Sequence, residues 1–195
     1  MLRSTAFLKG FLRKKRFKSI FLLLVTSLFL LLSLIFMPKN ENVHRSERFA
    51  DIIRTYSDKY ELPEPLIYAV IECESGFDEN AVSIAGASGL MQLMPDTFMW
   101  ISGKLSVAEE YDVFSPKQNI NAGCWYLSYL LRRFKAIETA LAAYNAGEGT
   151  VAEWLKNTEY SSDGVTLKVI PYPETSVYVN KVIRKSAEYE KLLSR

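Results

Sequence analysis

The stretch PLIYAVIECES, residues 65–75, decides the fold. Its first seven residues are apolar without a break, so it lacks the alternation of a half-buried strand and reads as a helix apolar on nearly every side. Such a helix belongs in the middle of a molecule, with other elements packed around it. Pro63 ends the helix before it, and Pro65 fits its first turn, where a missing N–H has no partner to lose. Upstream, Ser46 reads as an N-cap, with Phe49, Ile52, Ile53, Tyr56 and Tyr60 forming an apolar stripe at helical spacing. Downstream, Gly76, Gly86 and Gly89 break up residues 76–90, which read as loop. Helices are then expected at 95–104, 117–134, 136–146, 148–157 and 174–194, and VTLKVI at 165–170 is the single strand candidate. The expected class is all-α, a set of helices around the 65–75 helix.

The 195 residues hold one domain of ordinary size and a distinct leader. Residues 19–37, SIFLLLVTSLFLLLSLIFM, carry no charge. As a helix they would be about 28 Å long, the thickness of a bilayer's hydrocarbon core. A cleaved signal peptide fits less well, because the run is long and no small-x-small site follows Phe36, Met37 and Pro38. Seven basic residues and no acid precede the segment, whereas 17 basic residues face 22 acids beyond it. That asymmetry puts residues 1–18 in the cytoplasm, 19–37 across the membrane, 38–48 in a juxtamembrane linker and 49–195 in an extracytoplasmic domain. The basic run is accounted for by topology, so nucleic acid is not an expected partner.

His44 is the only histidine and stands in the linker, badly placed for a Ser-His-Asp or Cys-His site. Two cysteines and one histidine do not make a structural zinc site, and no glycine-rich loop matches a phosphate- or dinucleotide-binding motif. No metal or cofactor is expected, and carboxylate chemistry remains. Glu72 and Glu74 are two residues apart on the central helix, about 200° around its axis, so they do not share a face. Glu74 precedes Ser75, Gly76 and Phe77, where the helix ends. A carboxyl at the lip of a groove walled by apolar groups has its pKa raised, the state a general acid needs at neutral pH. Spacing alone leaves a plain solvated helix-end residue open as the alternative.

The surrounding pattern narrows the choice. Residues 69–95 read AVIECESGFDENAVSIAGASGLMQLMP and resemble the soluble lytic transglycosylases (SLT-type), whose fold is similar to goose-type lysozyme. The family's Glu-Ser-x-Phe/Trp signature matches Glu74 to Phe77, and its Ser-x-x-Gly-Ala-x-Gly-Leu-Met-Gln segment matches Ser83 to Gln92. Further blocks match at Asn119, Ile120, Gly123, Tyr126 and Leu127, at Ala142 to Gly147, and at residues 170–179, IPYPETSVYV. The five blocks run in family order over roughly residues 50–190, a combination far more specific than any one of them.

The resemblance implies a lysozyme-like helical domain with Glu74 as the single catalytic acid and base. It implies that Ser83, Gln92, Met94, Tyr144 and Asn145 bind the glycan, with Tyr144 also orienting Glu74. The implied reaction cleaves the β-1,4 bond between N-acetylmuramic acid and N-acetylglucosamine of peptidoglycan without water, leaving 1,6-anhydromuramyl ends. A hydrolytic muramidase of the same fold, or a non-catalytic peptidoglycan-binding module, are the alternatives. The resemblance also places Cys73 and Cys124 on neighbouring helices, which leaves two expectations: a disulfide, or two free buried thiols. Two departures stand out. Lys168 and Val169 occupy a stretch where many members carry a glutamate, and Cys73 stands where the family is often polar. Trp100, Trp125 and Trp154 read as core residues rather than sugar platforms.

Overall fold

The computed structural model describes residues 45–105 and 112–194. The 19–37 segment and the basic residues before it lie outside the described residues, and among the described residues no helix is long and apolar enough to cross a membrane. Among the described residues, seven helices of nine residues or more follow one another: α1 Ala50–Tyr60, α2 Glu64–Glu74, α3 Pro95–Leu105, α4 Pro116–Phe134, α5 Ile137–Ala146, α6 Glu148–Lys156 and α7 Pro173–Leu193. The expected all-α class holds, with the 165–170 segment irregular rather than a strand. Its backbone is tied down instead by Lys168 N–H donating to the Tyr160 carbonyl at 2.9 Å and Leu167 N–H to the Thr139 hydroxyl at 3.3 Å.

Helix α2 is the hub. Leu66, Ile67, Tyr68, Ala69, Val70 and Ile71 are consecutive and all buried. Burial of each large apolar side chain stabilises the fold by about 1.5–3 kcal/mol, so this one turn and a half anchors the core. The most extensive helix packing is α2 on α7, and α2 also meets α1. Helix α4 lies against α1, α3 and α5, and α5 meets α6 and α7. Proline opens α4 and α7 in the first turn and occupies the first turn of α2, as expected from its fixed φ.

The start of α1 differs from expectation. The helix begins at Ala50, with Phe49 in the capping position and no side-chain cap bond. Phe49 is buried and stacks on Phe77 at 6.4 Å, so an apolar contact rather than a serine cap fixes this entry.

Candidate active site

Glu74 is the last residue of α2. Ser75 closes the helix, its hydroxyl donating to the carbonyls of Leu90 at 2.8 Å and Ile71 at 3.2 Å. The first of these bonds ties the 76–94 loop to the helix end. Burial of the Glu74 carboxyl pushes its pKa from 4.5 up to about 7, while the Tyr178 hydroxyl and the cationic Lys181 pull it down. Lys181 is the one charged side chain among the described residues that shifts it. Glu72 is engaged elsewhere: it pairs with Lys185 of α7 at 3.0 Å. Asp78 has left the helix, is exposed, and accepts from the Asn80 N–H at 3.0 Å. Glu74 therefore has no carboxylate acting on it among the described residues.

Two tyrosines stand near this acid, and they do different things. Tyr144 of α5 donates to the Met91 carbonyl at 2.9 Å. Its single proton holds the loop, and Tyr144 also stands close enough to Glu74 to feel its charge. Tyr178 of α7, which the sequence reading assigned no role, faces Glu74. Its hydroxyl is the one buried side-chain polar atom among the described residues without a partner at bonding geometry, Glu74 included. Burial, and after it the charge of an ionised Glu74, raises both phenol pKa values well above normal.

The 76–94 loop is shaped by left-handed backbone and by one buried amide. Gly89 has φ +78°, and a Cβ there would collide with Asn119 and the Val113 carbonyl. Asn119, fully buried on α4, accepts from Met91 N–H at 2.8 Å and donates to the carbonyls of Ser88 at 3.1 Å and Val113 at 2.9 Å. Gly123, one turn further along α4, leaves room for the Met91 side chain. Met91 and Leu93 are core residues.

The remaining expected site residues fall on this loop and on α5. Ser83 accepts from Ala87 N–H at 3.0 Å, which leaves its own proton available. Gln92 adopts φ +46°, and its side-chain NH2 donates to the carbonyls of Ala81 and Gly89, each at 3.0 Å. Both contacts brace the loop, and the amide oxygen is the part of Gln92 left over. Met94 is 44% exposed at the start of α3. Asn145 is exposed, and its side-chain oxygen accepts from the buried Thr175 hydroxyl of α7 at 2.7 Å, which turns its NH2 outward.

The possible Cys73–Cys124 disulfide is not formed, and both thiols are free. Cys73 on α2 lies among Glu72, Glu74, Lys181 and Lys185, whereas Cys124 on α4 is fully buried near Tyr60 and Tyr144. The two side chains leave their helices toward different neighbours. Burial raises both thiol pKa values, that of Cys73 to about 11, so neither is a ready thiolate. Among the described residues no group of three or more His, Cys, Asp and Glu side chains is placed to hold a metal ion.

Fold and site together define a lysozyme-like helical domain organised around one desolvated carboxylic acid. The family model of the transglycosylase SLT domain matches residues 51–165, and the chain belongs to that family. Over 155 residues it is 35% identical to the soluble lytic murein transglycosylase of Escherichia coli (strain K12), covering 75% of this chain and 24% of that protein. It is 30% identical over 172 residues to the membrane-bound lytic murein transglycosylase C of Pectobacterium atrosepticum, covering 75% and 48%. The lytic transglycosylase Slt of Pseudomonas aeruginosa, crystallised as an inactive glutamate-to-glutamine mutant, superposes with a TM-score of 0.63 at 32% identity, over 74% of this chain and 24% of that one. The chain thus spans about a quarter of the soluble relative and about half of the membrane-bound one.

Proposed function

We propose that this protein is a membrane-anchored lytic transglycosylase that cleaves peptidoglycan glycan strands, with Glu74 as acid and then base. The observation that carries the reading is a single carboxylic acid at the end of the central helix, held near a pKa of 7 by burial. An acid with that pKa is substantially protonated at neutral pH and yields a competent base once it has given up its proton. Enzymes that hydrolyse glycosides ordinarily use two carboxyl groups, and here one acts alone.

Protonated Glu74 gives its proton to the oxygen linking N-acetylmuramic acid to N-acetylglucosamine, and the C1–O bond breaks. The cationic character that develops at C1 is met by the sugar's own N-acetyl group. The muramic O6 hydroxyl attacks C1, and the Glu74 carboxylate takes the hydroxyl proton, restoring the acid. No water is consumed, and the product is a 1,6-anhydromuramyl end. The nucleophile belongs to the sugar itself, so its effective concentration is high. Tyr178 and Lys181 hold the carboxylate between the two proton transfers, and Ser83, Met94, Tyr144 and Asn145 line the glycan path, with Gln92 bracing it. The 19–37 segment anchors the chain, with residues 1–18 cytoplasmic and the catalytic domain on the wall side.

Mass spectrometry of products released from intact sacculi tests the reading. The expected muropeptides are one water lighter than hydrolytic products, and Glu74→Gln releases none while remaining folded. Hydrolytic products would assign a muramidase instead, and turnover by Glu74→Gln would remove Glu74 from the chemistry.

A further inference from the structure

Helix α7 runs along α2 in the opposite direction, as the order of their contacts shows. Tyr189 stacks on Tyr68 with ring centroids 5.1 Å apart, Lys185 pairs with Glu72 at 3.0 Å, and Tyr178 and Lys181 act on Glu74. These four residues of α7 are spaced three or four apart, so they form one stripe along the helix. One end of the stripe meets the acid, and the other meets the middle of α2. We propose that Glu72 and Lys185 are positioning residues for the reaction: their ion pair sets the register of α7 on α2 and thereby brings Tyr178 and Lys181 to Glu74. The inference rests on the glycan-cleaving reading above and adds to it what holds the acid's two α7 neighbours in place.

The pair is the most buried ion pair among the described residues, with side-chain exposure of 11% at Glu72 and 23% at Lys185. Exposed pairs such as Arg184 with Glu188 contribute little. A buried pair gains little stability over apolar side chains of the same size, because both charges lose their water. What it adds is direction. The apolar contacts of Val179 and Val182 on α7 are non-directional, whereas a carboxylate and an ammonium at 3.0 Å fix one alignment. Lys185 is braced by Glu188 at 3.1 Å, and the Tyr189 hydroxyl faces Glu72.

Register matters at the acid. A shift of one residue along a helix is about 1.5 Å along the axis and about 100° around it, enough to turn Tyr178 away from Glu74. The groups facing Glu74 are Tyr178 and Lys181 from α7, Tyr144 from α5 and Cys73 from its own helix. Neither Glu72 nor Lys185 is among the groups that shift Glu74, so their influence on the acid passes through α7. Tyr178 and Lys181 both lower the Glu74 pKa, so drawing them away from an acid that stays buried raises it. The buried Val179 and Val182 keep α7 on the core when the ion pair is gone.

The full chain in detergent, carrying Glu72→Gln and Lys185→Met together, tests the assignment. The two substitutions remove both charges, so neither is stranded in the interior and the net charge of the pair stays at zero. On soluble peptidoglycan fragments kcat should fall about tenfold, with KM changed by about threefold at most. KM is spared because Ser83, Gln92 and Met94 lie on the 76–94 loop rather than on α7. In an NMR titration the Glu74 midpoint should rise by roughly half a pH unit or more. Lys185→Arg keeps a cation for Glu72 and should retain kcat within about twofold. If the double variant does not fold, Glu72→Asp keeps the charge but shortens its reach, and a fall in kcat of about threefold or more with the same rise in midpoint is expected. A pair that serves stability alone would lower the melting temperature and leave the midpoint in place. A folded variant with unchanged kcat, with its loss in KM alone, or with a Glu74 midpoint unchanged or lowered would overturn the proposal, as would an arginine variant as impaired as the double one. Failure of the parent reading has a separate signature, the continued release of products by Glu74→Gln, so the two can fall independently.

Discussion

At Glu74 two opposing influences set one property. Desolvation raises the carboxyl pKa, and the Tyr178 hydroxyl and Lys181 lower it, with a balance of about 7. The first proton transfer needs the acid form, so kcat/KM on sacculi should fall as pH rises through about 7. Removing the Lys181 charge favours the protonated form, so Lys181→Met should move that alkaline limb upward by roughly half to one pH unit. A limb that stays in place would show that Lys181 does not act on the acid. The candidate acid was legible in the sequence through the motifs at Glu74 to Phe77 and Ser83 to Gln92, because a helix-end position alone leaves a solvated carboxyl open. Tyr178 lies in the matched 170–179 block but had no role there, because the approach of α7 to the end of α2, which sets its hydroxyl facing Glu74, is not visible in chain order. Trp100 failed in the opposite sense: it reads as core, but the packing of α3 on α4 leaves it partly exposed.

Among the elements, the 76–94 loop depends on contacts that no local pattern specifies. Helices were readable from apolar periodicity and from prolines in their first turns. The loop's shape is instead imposed by Asn119, 28 residues along the chain from Met91, through three hydrogen bonds. Replacing Asn119 by alanine leaves the Met91 N–H and two carbonyls without these partners in the interior. Asn119→Ala should cost about 2–4 kcal/mol of stability in a urea melt and lower turnover together with it. An unchanged melt would show that the loop is held by other means. The cysteines make the same point from the other side. Their helices belong to one core, yet α2 packs chiefly on α7 whereas α4 packs on α1, α3 and α5, and a disulfide needs close, facing Cβ atoms.

For the whole molecule, the proposed integral anchoring rests on the apolar 19–37 segment and its charge asymmetry. After cell breakage the protein should stay with the membrane through alkaline carbonate washing and be released by detergent; release by carbonate or salt alone would contradict the anchor. The tether would keep the domain working on the wall layers nearest the membrane. The catalytic proposal is likewise a property of the assembled molecule, since α5 and α7 bring Tyr144, Tyr178 and Lys181 to Glu74 at the end of α2. Its most direct measurement is an NMR titration of the Glu74 side-chain carboxyl carbon in the folded protein. The account predicts a midpoint near 7. A midpoint in the ordinary glutamate range, around 4.3, would mean the carboxyl is solvated and unable to serve as the acid.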